Sequence, residues 1–305
     1  MIALGLDTSN YTTSAAWFDG QDGRNTGKLL TVKPGELGLR QSDALFQHVK
    51  RLPEIVESLM GTMGAGTISA VGASTRPRSV AGSYMPCFLA GESQGRVLAQ
   101  TFGVPFHAFS HQQGHLAAVL WSAKRMELLE QAFLAWHLSG GTTELLYVTP
   151  GLRAEIIGGT EDLSAGQLID RTGQMLSLEF PAGKALDALA GDLETKPFPV
   201  KVRDMRFSLS GMQNKARQKY ESGMPKAETA AFTLGCICQA VRTATQQAME
   251  QYGDLPVVFT GGVASNSQLR RNMEPLGGVF GTPQCSTDNA LGIAVLTYFS
   301  ENQHG

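Results

Sequence analysis

FLAWHLSGGTTELLYV, residues 133–148, is the stretch on which the fold of this chain turns. Phe133 to Leu138 is an apolar run of strand length, Ser139-Gly140-Gly141-Thr142 is a tight turn, and Thr143 to Val148 is a strand running back. The N-terminus holds a counterpart. Ile2 to Leu6 reads as a buried strand, Asp7-Thr8-Ser9-Asn10-Tyr11 as a polar turn, and Thr12 to Phe18 as the hairpin partner. Ser9-Asn10-Tyr11-Thr12-Thr13 and Ser139-Gly140-Gly141-Thr142-Thr143 therefore take matching places in matching hairpins.

The correspondence extends outward. Ile68 to Ala73 reads as a strand, Pro86 to Phe102 as a helix, Pro105 to Phe109 as a short strand and His111 to Trp121 as a helix. In the second half, strand Val257 to Thr260, a helix from Asn266, a short segment before Ser286 and a last helix from Thr287-Asp288-Asn289 repeat that order. Between the first hairpin and the third strand, Leu45, Phe46, Val49, Leu52, Ile55, Val56 and Leu59 recur at helical spacing over Ser42 to Met60. Pro53 is expected to kink or divide that helix. Two strand–turn–strand units, each followed by strand–helix–strand, form the pattern of a duplicated ribonuclease-H-like lobe. The expected fold class is thus α/β, two such lobes of the actin/sugar-kinase/Hsp70 (ASKHA) type, their polar turns facing an interlobe cleft. Residues 1–107 with 290–305 would make the first lobe and 108–289 the second, the C-terminal helix returning to the first.

Bulk properties narrow the function classes. The chain has 305 residues, 42% hydrophobic and 17% charged, a globular composition that excludes a disordered protein. A formal charge of -2 gives no global attraction for nucleic acid, so contact with one needs a local patch or a basic partner. The four cysteines (Cys87, Cys236, Cys238 and Cys285) lack disulfide-framework spacing, and Cys236 and Cys238 sit in an apolar helical run as small buried hydrophobes. MIALGLDTS has no basic leader segment and no long apolar stretch, so neither signal peptide nor membrane span is expected and the location expected is cytoplasmic.

His111-Gln112-Gln113-Gly114-His115 is the sharpest local motif. Side chains at i and i+4 share a helix face, so both imidazoles can reach one ion, or can simply sit side by side on that face. Asp288 stands at the start of the last helix, where the first half has His111. Two histidines and a carboxylate are a ligand set for zinc or ferrous iron that leaves positions open for a substrate oxygen. Gly140 and Gly141 let backbone amides approach an anion closely, although a hairpin turn with nothing bound has the same sequence. Phe259-Thr260-Gly261-Gly262-Val263-Ala264-Ser265-Asn266 leads a strand through two glycines into a helix start. Asp162 to Asp170 begins a helix whose acid could meet a ribose hydroxyl, and Pro181-Ala182-Gly183 with Asp187 repeats the glycine–acid arrangement. Either acid alone reads as a solvated helix residue; together with two Gly-Gly turns they favour a nucleoside site.

These motifs, with Asp7-Thr8-Ser9, Ala165-Gly166 to Asp170, Phe207-Ser208-Leu209-Ser210-Gly211 and Ser286-Thr287-Asp288-Asn289, resemble in order and spacing the tRNA threonylcarbamoyladenosine transferase family, formerly labelled an O-sialoglycoprotein endopeptidase. The resemblance implies one divalent metal, iron or zinc, held by His111, His115 and Asp288, and an adenine nucleotide (ATP or an acyl-adenylate) lined by Ser139, Gly140, Gly141, Asp170, Gly183, Asp187 and Asn266. It also implies transfer of threonylcarbamoyl from its adenylate to the adenosine next to the tRNA anticodon, which makes tRNA a partner. The chain departs from the family where Asn10, Tyr11 and Thr12 replace a Cys-Asp-Glu run, where Thr142 replaces a His, and where Thr75-Arg76-Pro77-Arg78 replaces a Gly-Pro-Gly turn. It reads as a diverged paralogue. Arg76 and Arg78 are candidate contacts to a substrate anion. The alternative is a non-catalytic or regulatory nucleotide- and metal-binding subunit that pairs with a related ASKHA-fold protein through the first lobe, Gln47, His48 and Arg51 marking the contact face. A peptidase lacks a recognisable base beside the histidines.

Overall fold

A computed structural model describes residues 1–9, 11–32, 39–63, 66–80, 82–193, 195–286 and 289–302. From the N-terminus, β1 (Ile2–Asp7), β2 (Thr12–Phe18) and β3 (Gly23–Leu29) are followed by α1 (Gln41–Met60), β4 (Ile68–Arg76), α2 (Phe88–Phe102), β5 (Phe106–Ser110) and α3 (His111–Ser122). The order then begins again with β6 (Phe133–Leu138), β7 (Thr143–Thr149) and β8 (Arg153–Thr160). Next come α4 (Ala165–Met175), α5 (Gly183–Ala190), β9 (Arg206–Phe207), α6 (Ser210–Glu221) and α7 (Lys226–Tyr252). The chain closes with β10 (Val257–Thr260), α8 (Ser267–Met273), β11 (Gly278–Phe280) and α9 (Leu291–Asn302).

The first sheet has the order β3-β2-β1-β4-β5, with β1 antiparallel to β2 and parallel to β4. The second, β11-β10-β6-β7-β8-β9, contains the same arrangement: β8-β7-β6-β10-β11 matches β3-β2-β1-β4-β5, including every antiparallel and parallel neighbour. Strand β9 is an addition, parallel to β8 at the sheet edge. Helix α2 joins β4 to β5 as α8 joins β10 to β11, and α3 follows β5 as α9 follows β11. The fold is a duplicated ribonuclease-H-like α/β architecture. The compact units are Met1–Met126 with Thr287–Gly305, and Glu127–Ser286.

A strand buried along its whole length must be covered on both faces, and β1 is. Leu4 and Leu6 share a core with Leu52, Ile55 and Leu59 of α1 and Ala99 of α2, each buried leucine contributing roughly 1.5–3 kcal/mol. On the opposite face Gly5 lies against the backbone of α9, where a Cβ would come within 2.4 Å of the Ala294 nitrogen. Gly292 brings α9 equally close to α3, its missing Cβ leaving room for the Gly114 carbonyl. Helix α3, given to the second lobe by the sequence, thus belongs to the first unit because it packs on α9, which itself covers β1, β2 and β4.

Helix α1 differs from expectation in two ways. It runs unbroken through Pro53. Its buried stripe is Ala44, His48, Leu52, Ile55 and Leu59, which leaves Phe46 and Val49 exposed at 64% and 49%. The proposed contact face is therefore corrected. His48 is fully buried with Nδ1 2.8 Å from Thr13 Oγ1, while Gln47 and Arg51 bind the backbone and hydroxyl of the 29–31 segment. Cys236 and Cys238 are buried in α7, and burial pushes their thiols up to about 11 and about 12. Among the described residues no helix is long and apolar enough to cross a membrane.

Candidate functional site

In the first unit, β1 delivers Asp7 and α3 delivers two histidines. Ser110 caps α3 through a reciprocal box in which its hydroxyl accepts from the Gln113 N–H and the Gln113 side chain accepts from the Ser110 N–H. The helix therefore starts at a fixed residue, and His111 and His115 fall on one face with ring centroids 4.3 Å apart. Their Nε2 atoms lie 2.9 Å apart, and His111 Nδ1 is 2.7 Å from Asp7 Oδ2. Donation from Nδ1 to that carboxylate leaves His111 Nε2 with its lone pair facing His115. Nitrogens bound to one zinc ion each lie about 2.0–2.1 Å from it, so two nitrogens this close can reach the same ion. A carboxylate behind a ligating imidazole is the usual outer partner of such a site. The pair fits a transition metal. Asp288, named from sequence as the third ligand, lies outside the described residues, and among those described no group of three or more His, Cys, Asp or Glu is placed to hold a metal ion by itself. Asp7 stands in the Asp7-Thr8-Ser9 motif, and its place at the end of β1, before a polar turn, is the sequence signal for this role.

In the second unit the predicted nucleotide residues lie on a closed circuit of contacts at one end of the sheet. Ser139 holds the turn, its N–H donating to the Thr142 carbonyl and its hydroxyl accepting from the Thr142 N–H. The start of α4 is stitched to that turn. The Gly166 N–H donates to the Ser139 carbonyl, the Ser164 hydroxyl to the Gly140 carbonyl and the Ala165 N–H to Thr143 Oγ1. One α-helical turn along, Asp170 Oδ1 accepts from the Ala182 N–H at 2.8 Å and fixes the entry to α5 at Gly183. Asp187 of α5 then accepts from Asn266 Nδ2 and from the N–H and hydroxyl of Ser267. Asn266 caps α8, and Gly261, at φ +88°, returns the circuit to the Leu138 carbonyl beside Ser139.

The glycines on this circuit divide into two kinds. A Cβ on Gly166 would strike Ser139 O and the Gly140 backbone at 2.4–2.8 Å, so this glycine seats the helix on the turn. At Gly140, Gly141, Gly183 and Gly262 a Cβ would meet nothing within 4 Å. These four border open space, and the N–H groups of Gly140 and Gly141 donate to no described acceptor. Such a cradle fits a phosphate or a flat base. Asp187 departs from expectation: the ribose contact read from sequence competes with three donors that tie α5 to α8.

The remaining motifs are structural partners of these. Burial alone would raise the Asp162 carboxyl, but hydrogen bonds from Ser208, Ser210 and the Leu209 and Leu163 N–H groups hold it well below the usual carboxylate range. The Ser208-Leu209-Ser210 motif is thereby docked on the loop before α4. Thr12 is buried at the start of β2, its N–H bonded to the Ser9 carbonyl, and Tyr11 is partly exposed. Arg76 ends β4, and Arg78 lies in the following turn with its N–H donating to Ser83 Oγ.

Fold and sites together define a duplicated ASKHA-type protein with a histidine pair in one unit and a glycine-rich cradle in the other. Solved structures share that fold. Component A of the (R)-2-hydroxyglutaryl-CoA dehydratase of Acidaminococcus fermentans superposes with a TM-score of 0.59 at 16% identity, covering 99% of each chain. A ROK family protein from Streptococcus pneumoniae does so at 0.55 and 10%, covering 100% of each. The family model for tRNA N6-adenosine threonylcarbamoyltransferase matches residues 33–295, and the chain belongs to that family. A relative of that name from Streptococcus suis is 31% identical over 292 residues, 89% of this chain and 83% of its own.

Proposed function

We propose that this protein transfers a threonylcarbamoyl group from its adenylate to an adenosine of tRNA. The observation that carries the reading is the convergence of the His111 and His115 Nε2 atoms, with Asp7 behind His111, in a chain of this family. His111 and His115 would hold one divalent metal, iron or zinc, with Asp288 as the third ligand. When bound, that ion supplies Lewis acidity toward the acyl oxygen. The chain's own groups do the rest. The exposed N–H groups of Gly140 and Gly141 receive the phosphate, Gly183 and Gly262 leave room for the nucleoside, and Asp170 stiffens the loop beneath it. The acceptor amine adds to the carbamoyl carbonyl, the bond from that carbon to the phosphate oxygen breaks, and AMP leaves as the amine gives up its proton.

Elemental analysis of purified wild-type protein and of a His111→Ala/His115→Ala variant tests the metal half of the reading. About one iron or zinc per wild-type chain and none in the variant is expected; equal content in both would contradict it. A second reading, a non-catalytic nucleotide- and metal-binding subunit, draws on Tyr11 and Thr12 standing where the family has acids. It predicts nucleotide and metal binding without turnover of tRNA.

A further inference from the structure

Residues 196–219 hold seven lysines and arginines against one acid, Asp204, in a chain whose formal charge is -2. Within that run the backbone turns back on itself between Arg203 and Arg206. Each donates its N–H to the other's carbonyl, at 2.9 and 2.8 Å, which closes a two-residue hairpin. Residues paired in this way stand about 5.5 Å apart at Cα with their side chains on one face. Val202, Met205 and Phe207 turn toward the core of the second unit, and Lys201, Arg203 and Arg206 are exposed.

This arrangement works against stability twice. Like charges directly opposite one another across a hairpin repel. The turn also puts Asp204 and Met205 in the left-handed region, at φ +48° and +62°, where methionine is seldom found. Surrounding contacts hold it there. The Gly159 N–H donates to the Met205 carbonyl at 2.9 Å, the Met205 N–H to Gln247 Oε1 at 2.9 Å, and Gln247 Nε2 to the Val202 carbonyl at 3.3 Å. Gly158 leaves the space, since a Cβ there would come within 2.5 Å of the Met205 carbonyl oxygen.

Both arginines thus rise from a fixed backbone. Among the described residues neither guanidinium makes a hydrogen bond or has a carboxylate within ion-pair distance. Asp204 and Glu250 line the hollow beside Arg203 without pairing with it. Two unspent planar forks with adjacent roots suit a row of phosphates. A protein partner would call for an apolar centre, whereas the exposed neighbours here, Lys201, Asp204 and Ser208, are polar.

We infer that Arg203 and Arg206, with Lys201, form a phosphate-backbone contact on the second unit, and that it grips the sugar–phosphate strand of the tRNA acceptor. This rests on the transferase reading for the choice of tRNA among nucleic acids, not for the existence of the contact.

The test is titration of full-length, metal-loaded protein into fluorescently labelled tRNA at a series of salt concentrations, with polyglutamate as a second probe. Arg203→Gln/Arg206→Gln should weaken tRNA binding about 10–30-fold at about 0.1 M salt and make the dependence of log Kd on log salt shallower by about 1.5. Arg203→Lys/Arg206→Lys keeps the charge, so the slope should stay and only a few-fold of affinity should be lost. The thermal midpoint of the glutamine variant should equal or exceed that of wild type, because the repulsion is gone. A purely structural role for the pair would lower that midpoint by several degrees and would count against the inference. Equal affinity and equal slope for wild type and the glutamine variant would overturn the contact. Polyglutamate binding more tightly than tRNA in an arginine-dependent way would make the surface a contact for an acidic protein and overturn the RNA assignment. If tRNA binds with the expected slopes but gains no threonylcarbamoyl group, the transferase reading falls and the RNA contact stands.

Discussion

Asp7 and His48 show how much of this protein is decided by single side chains on β1 and α1. Asp7 orients His111 from behind, so Asp7→Ala should lower metal affinity by about 10–100-fold, the usual range for loss of an outer partner. Competition with a chromophoric chelator measures it, and unchanged affinity would remove Asp7 from the site. His48 has a different role. Burial, opposed by the charge of Asp7 and assisted by that of Arg51, lowers its pKa to about 4 from 6.5. The unfolded chain therefore binds more protons than the folded one between those values, and stability is fully present above pH 6.5 and lost as pH falls toward 4. Urea midpoints across that window should fall with an uptake of about one proton on unfolding, and His48→Asn should flatten the dependence. A histidine on an amphipathic helix reads as exposed from sequence. Only the stripe through Ala44, Leu52 and Ile55 shows that it is not.

At the scale of elements, some glycines seat one element on another and others border open space. Gly140→Val adds a side chain where nothing lies within 4 Å, so thermal stability should be kept while AMP affinity falls at least tenfold. Gly166→Ala should do the reverse, lowering the thermal midpoint by several degrees because its Cβ meets Ser139 O at 2.4 Å. Calorimetry and thermal melts on the two proteins check both, and matching losses of stability would contradict the division. Strands and most helices were legible because their periodicity is strong: Phe133–Leu138 and Val257–Thr260 fall where the apolar runs place them. The continuity of α1 through Pro53 was not, since neighbouring packing outweighs one missing backbone hydrogen bond. The orientation of Asp187 was also hidden. Its donors at 266 and 267 are about eighty residues away and join it only once β10 and α5 are in place.

Over the whole chain, the two sheets with one strand order confirm the duplication read from the matching hairpins, and the same symmetry singled out His111 and Asp288. What the hairpins could not reveal is the close approach of α3 to α9, which depends on Gly114 and Gly292 meeting across sequence. The departures at Tyr11, Thr12 and Arg76 lie in the first unit and that at Thr142 in the second, whose turn keeps its open glycines. Transfer chemistry can be read directly. Purified, metal-loaded protein should be incubated with tRNA and threonylcarbamoyl-adenylate, and the tRNA digested to nucleosides for mass spectrometry. Threonylcarbamoylated adenosine is predicted with wild-type protein and its loss with His111→Ala/His115→Ala. Unmodified adenosine after incubation with folded, metal-loaded wild type, or equal product from the histidine variant, would contradict the account.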